Sequence, residues 1–206
     1  FVGNSLLNAT GTALIVAEGI DCVFSGNKGF GSVRSGTALN NNPIRLVQNN
    51  IFATSTLGYN VSLASNQDVD AATLISGNLF RSSTSNTSII CGNNIDRLGI
   101  EGNYFSCSGR AIDITGTGVS NVSISNNYIY SVQAALFIAV GAQNLQIINN
   151  TLDSLATVSN TIDLEDNLNI SSNMFSGHSL SFLGSASYGV LNNNVFSLPS
   201  AGTSLS

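Results

Sequence analysis

One phrase constrains this chain more than any other: an apolar residue, two spacers ending in Gly or Asn, then Asn, one residue, and a second apolar residue. It appears as "VQNNIF", "ISNNYI", "IINNTL" and "LNNNVF", and aligns at Asn4, Asn27, Asn50, Asn78, Asn103, Asn127, Asn150, Asn173 and Asn194. The mean interval is about 24 residues. Three residues before each Asn stand Phe1, Phe24, Val47, Ile75, Ile100, Ile124, Ile147, Ile170 and Leu191, all apolar. Two residues after it stand Leu6, Gly29, Phe52, Phe80, Phe105, Ile129, Leu152, Phe175 and Phe196, and the one exception, Gly29, is followed by Phe30. The residue just before it is Gly3, Gly26, Asn49, Gly77, Gly102, Asn126, Asn149, Ser172 or Asn193. Gly and Asn are the types that tolerate a left-handed backbone. The phrase therefore predicts strand, sharp corner, strand, repeated along the chain.

A third alternation follows each corner: Val61/Leu63, Ile89/Cys91, Ile112/Ile114, Leu136/Ile138, Ile162/Leu164 and Leu180/Phe182. Five residues before the Asn, Cys22, Leu98, Val122, Leu145 and Leu168 continue the inward period of two, while Arg45, Thr73 and Gly189 break it. No window carries a helical apolar period. Three short strands in about 24 residues, each turn stacking about 4.8 Å on the last, describe a parallel β-helix. The expected fold is all-β, a single-stranded parallel β-helix of about nine rungs over residues 1–206, as one domain and a fragment of a longer protein.

On these phrases the chain resembles the right-handed parallel β-helices of the pectate-lyase-like superfamily, and among them bacteriophage tailspike and receptor-binding domains most. The resemblance covers nearly the whole chain. It implies that the aligned asparagines stack as a ladder at one corner, each amide bonding the next. It also implies a homotrimer on a virion tail or in an extracellular setting, binding and in some members hydrolysing a bacterial surface polysaccharide. Two other readings stay open: a non-enzymatic adhesin or spacer, and a free-standing secreted polysaccharide-degrading enzyme. Fold alone does not choose among them.

Composition narrows the partners. Charged residues are only 8% of the chain, six are Lys or Arg, and the net charge is −5. That disfavours nucleic acid, which demands a basic surface. The longest apolar run, Ala134 to Ala142, is too short to span a bilayer as a helix. No cofactor motif is present. Cys22, Cys91 and Cys107 lack metal-ligand spacing and are expected as small buried hydrophobes. Six Asn-x-Ser/Thr triplets arise by chance in so Asn-rich a chain. The single histidine, His178 in "SGHSL", is expected in a loop.

Chemistry belongs on outward positions. In the third alternation the outward residues include Ser62, Asp113, Phe137, Asp163 and Ser181. Asp113 and Asp163 then lie two rungs apart, roughly 9.6 Å between backbones. Carboxyl groups about 6.5–9.5 Å apart suit an inverting glycoside hydrolase. Asp113 and Asp163 are the candidate catalytic pair. Phe137 is placed to stack on a sugar ring, and Arg110 to bind an anionic sugar or steady a carboxylate. Glu165 and, on another face between Ser76 and Ser125, Glu101 complete the candidate substrate-binding set. Asp68 and Asp70 form a close acidic pair without a full calcium ligand set, so no metal site is expected.

Overall fold

The computed structural model describes residues 1–5, 14–17, 22–30, 32–35, 44–52, 59–63, 72–82, 85–183 and 188–197. All twenty strands among them belong to one hydrogen-bonded set, and each pairs in parallel with strands about one turn away. No helix occurs among the described residues. The chain is an all-β parallel solenoid. About six full turns are seen among the described residues, against the nine expected. The end motifs explain part of the difference: Val2 and Ser5 make only isolated bridges, and after Val195–Ser197 no further strand is described.

Every corner turns as the motif predicts. The residue before each aligned Asn has φ between 53° and 68° at all nine positions. Ser172 does so at 58°, a conformation that costs a non-glycine residue about 1 kcal/mol. The left-handed turn keeps the backbone in the ladder: Asn49 N–H donates to the Ser76 carbonyl at 3.0 Å, and Gly102 N–H to that of Ser125 at 3.1 Å.

The asparagines form one unbroken ladder. Each Nδ2 donates to the Oδ1 of the next rung, from Asn4 through to Asn194, at 2.9–3.2 Å. That Oδ1 also accepts the backbone N–H of the same donor residue, as Asn127 does from Asn103 at 2.9 Å. The second hydrogen of Nδ2 goes the other way. Asn103 reaches the Ile75 carbonyl and Asn127 that of Ile100, each at 2.9 Å. Each interior amide therefore ties three successive rungs together.

Inside, the side chains stack by kind. Ile75, Ile100, Ile124, Ile147 and Ile170 fill one column with no exposed surface. Phe52, Phe80 and Phe105 fill another, with ring centroids 4.9 and 4.7 Å apart and nearly parallel planes. Each such residue contributes about 1.5–3 kcal/mol by burial. The side chain of Leu6 lies outside the described residues. At the last rung Leu191 and Phe196 are half exposed, since no described rung covers them.

Two of the three column breaks have local remedies. A bulge after Cys22 pairs that residue with Ile44, so Ile44 enters the core and Arg45 does not. Thr73 is buried, and its hydroxyl donates to the Ile44 carbonyl at 2.7 Å.

His178 is not in a loop. It lies in strand Met174–Leu183, only 5% exposed. Its Nδ1 faces Asn160 Nδ2 at 3.2 Å, an amide hydrogen that a neutral imidazole accepts, and its Nε2 is buried without a partner among the described residues. Asn160 is fully buried; its Oδ1 accepts the Leu136 N–H at 2.9 Å and its Nδ2 donates to the Ser179 carbonyl. Burial lowers the His178 pKa below its ordinary 6.5, against an opposing pull from the Asp153 carbonyl and charge.

Asn103→Ala should remove two donor and two acceptor contacts, taking a donor from the Ile75 carbonyl and the acceptor from the Asn78 N–H. A loss of roughly 3–5 kcal/mol is expected in denaturant unfolding. Asn4→Ala, at the exposed end, should cost under about 1 kcal/mol; equal losses would refute a buried-ladder origin.

Because His178 is held neutral, its contribution is complete above pH 6.5 and is lost as pH falls through that value toward the lower folded pKa. The unfolding midpoint should therefore begin to drop as pH falls below about 7. His178→Gln should flatten that segment, and an unaltered pH profile would exclude His178 as its source.

Candidate functional site

Three of the expected site residues do meet. Asp113 lies in strand Ile112–Ile114, opposite Phe137 on the next turn and Ile90 on the previous one. Arg110, three residues upstream, places Nη1 2.7 Å from Asp113 Oδ2. Its guanidinium carbon also sits 3.8 Å from the centroid of the Phe137 ring. Arg110 is thus held by charge on one side and by a ring face on the other.

The bracket of Ile90 and Phe137 explains why Asp113 is only 8% exposed. Its Oδ1 has no hydrogen-bond partner among the described residues. Behind it, the Cys91 thiol is pushed up to about 12 by burial, reinforced by the Asp113 charge. Cys91 and Cys107 are buried free thiols, as expected, whereas Cys22 is half-buried. Arg110 steadies a carboxylate here, and it covers a Phe137 face that was expected to meet a sugar.

Asp163 does not continue the column. Phe137 pairs with Thr161, and Ile138 with Ile162, so the outward column runs Ser62, Ile90, Asp113, Phe137, Thr161, Ser181. Asp163 lies two residues further along its strand and pairs with Leu183. The physical reason is Asn160. It occupies the inward position opposite Leu180 and next to Leu136, where an apolar residue was expected. Matching apolar pairs across that turn shifts the register by two. The Asp113–Asp163 backbone separation widens to roughly 12 Å, two rungs by two residues.

Glu165 lies in strand Thr151–Ser171, but its side chain is outside those described. Glu101 is exposed and pairs with Ser76 and Ser125 as expected. It lies on a different face from Asp113. Asp68 and Asp70 lie outside the described residues. Among the described residues no three His, Cys, Asp or Glu side chains group to hold a metal ion.

A second, exposed amide ladder was not anticipated. Asn121 donates to Asp96 Oδ1 at 2.6 Å, Asn144 to Asn121 Oδ1 at 3.0 Å, and Asn167 to Asn144 Oδ1 at 3.0 Å. Burial, the largest single influence, raises the Asp96 pKa, but the bonds from Asn121 and Ser120 and the adjacent Arg97 together outweigh it and hold the carboxyl below its ordinary value. Arg97, Asn121, Asn144 and Asn167 all have φ near 50°. The available signal was their place, six residues before Asn103, Asn127, Asn150 and Asn173. Tyr188 holds the same place before Asn194.

Near the buried ladder Tyr104 and Tyr128 are exposed and stack at 5.0 Å, and the Tyr128 hydroxyl donates to Asp153 at 3.2 Å. Ile51 and Tyr130 are half-buried.

Arg110→Leu should leave the Asp113 charge nearly buried and unpaired, at a cost of about 2 kcal/mol, between exposed and fully buried pairs. Adding Asp113→Leu should recover most of it. A double variant no more stable than the single one would show that Arg110 acts by packing on Phe137 alone.

Comparison with protein families, curated proteins and solved structures found no match to this chain.

Proposed function

We propose that this chain is a receptor-binding β-solenoid of the tailspike or adhesin kind, which holds a bacterial surface polysaccharide and does not cleave it. The observation that carries this reading is the state of the Asp113 patch. A carboxylate already neutralised by Arg110, shielded by Ile90 and Phe137, and without Asp163 in its column, is poorly arranged for hydrolysis. What the solvent faces do offer is hydroxyls, amides and rings in rigid columns one rung apart, the groups that recognise sugars without charge. The homotrimer and the virion or extracellular setting belong to the same proposal. The exposed stripe of Tyr104, Tyr128 and Met174 is a surface available for subunit contact.

The test is retention on immobilised bacterial capsules and lipopolysaccharides, with pectin as a control, alongside an assay of reducing ends. Retention without new reducing ends is expected. Cleavage that disappears in Asp113→Asn would instead establish the inverting hydrolase. Failure to bind any of these polymers would overturn the reading.

A further inference from the structure

The exposed ladder has a direction. Every Nδ2 points toward Asp96, the anion that anchors it, so one donor of each amide is engaged along the row. The opposite end, Asn167, is left with an amide oxygen that has no partner among the described residues. Two residues on, Asn169 has an Oδ1 that is buried and likewise unpartnered. Such an acceptor is costly unless something donates to it.

Both residues line a groove of about 230 Å³, with Asn144, Gln146 and Tyr188. Its origin is local. Leu145 and Leu168 continue the inward column, and Gly189 follows with no side chain. Tyr188, next to that glycine, is 74% exposed. No ring stacks on it among the described residues, unlike Tyr104 and Tyr128, whose facing surfaces cover each other.

We infer that this groove is a subsite for a neutral sugar unit. The inference rests on the polysaccharide-binding reading and names where and what kind of unit is held. The exposed amides of Asn167 and Gln146 match sugar hydroxyls, and Asn169 beneath them gains a donor for its buried Oδ1 by turning its amide toward the groove. The Tyr188 face matches the apolar face of a pyranose ring. Among the described residues no Lys, Arg, Asp or Glu lines the groove, which disfavours uronic acids and phosphorylated sugars. The volume is below the ~300–1,000 Å³ of enclosed small-molecule pockets, as suits one or two units of a longer chain lying across it.

The experiment uses the full chain and saturation-transfer NMR with neutral gluco-, galacto- and manno-configured tetrasaccharides, and tetragalacturonic acid as the acidic probe. At least one neutral probe should bind. Asn169→Leu, Asn167→Gly and Tyr188→Ser should each weaken it about tenfold or more, corresponding to about 1.4 kcal/mol. Asn167→Gly preserves the left-handed backbone, and Val132→Ser, at an exposed position far from the groove, serves as a control that should leave binding unchanged. Unaltered melting temperatures confirm folding. Neutral binding that survives all three groove variants overturns the subsite while leaving the polysaccharide reading intact. Binding of tetragalacturonic acid alone overturns the neutral class. Binding of no probe, with whole polysaccharide still retained, overturns the subsite only; loss of both overturns the two together.

Discussion

The asparagine amide at the corner is the interaction on which the rest depends. A strand that turns sharply every rung exposes backbone groups that sheet pairing alone does not satisfy. Asn answers this with two donors and one acceptor on a short side chain. Its Oδ1 takes the N–H and Nδ2 of the rung before, while its own Nδ2 reaches forward to the next amide and back to a carbonyl. Gln carries the same groups but one more methylene, which would displace the amide from the stack. Asp lacks the donors, and a column of them would repel. The spacing of the rungs is therefore written in one residue type, and the Gly or Asn before it supplies the left-handed turn that aims it.

Where the interior departs from apolar stacking, it does so with satisfied polar groups. Asn160 sits in a hydrophobic column because its carbonyl caps the Leu136 N–H and its amide meets Ser179. Thr73 replaces an apolar residue and returns its hydroxyl to the neighbouring turn. The His178 Nε2 and the Asn169 Oδ1 are exceptions among the described residues, and so is Asp113. One oxygen is paired with Arg110 and the other is not, so this position is held at some cost by its surroundings.

These departures also mark where the sequence was and was not legible. The ladder, the corner conformation and the inward columns were visible because buried, repeated positions admit few residue types. The Arg45 break was not resolved by pattern, since a bulge that swaps Ile44 into the core leaves no mark beyond one misplaced residue. Asp163 was misaligned because a buried asparagine looks like a surface residue until its partners are known. His178 reads as a loop residue in the sequence for a similar reason, since its buried partner Asn160 shows only in the fold. The exposed ladder was hidden by abundance: in a chain so rich in Asn, a solvent-facing column stands out only when measured from the buried one.

The same contrast locates function. A solenoid's stability comes mainly from contacts between neighbouring turns, and those contacts are made by inward side chains and the ladder. Outward positions are correspondingly free. One outward column holds Ser62, Ile90, Asp113, Phe137, Thr161 and Ser181 in succession, with no chemistry in common. The inward column beside the corner holds only valine and isoleucine from Val47 to Ile170. A scaffold of this kind fixes the spacing of whatever it displays while placing almost no demand on its identity. Recognition can then be built from neutral groups whose separate contributions are small, because the rungs have already met the entropic cost of arranging them.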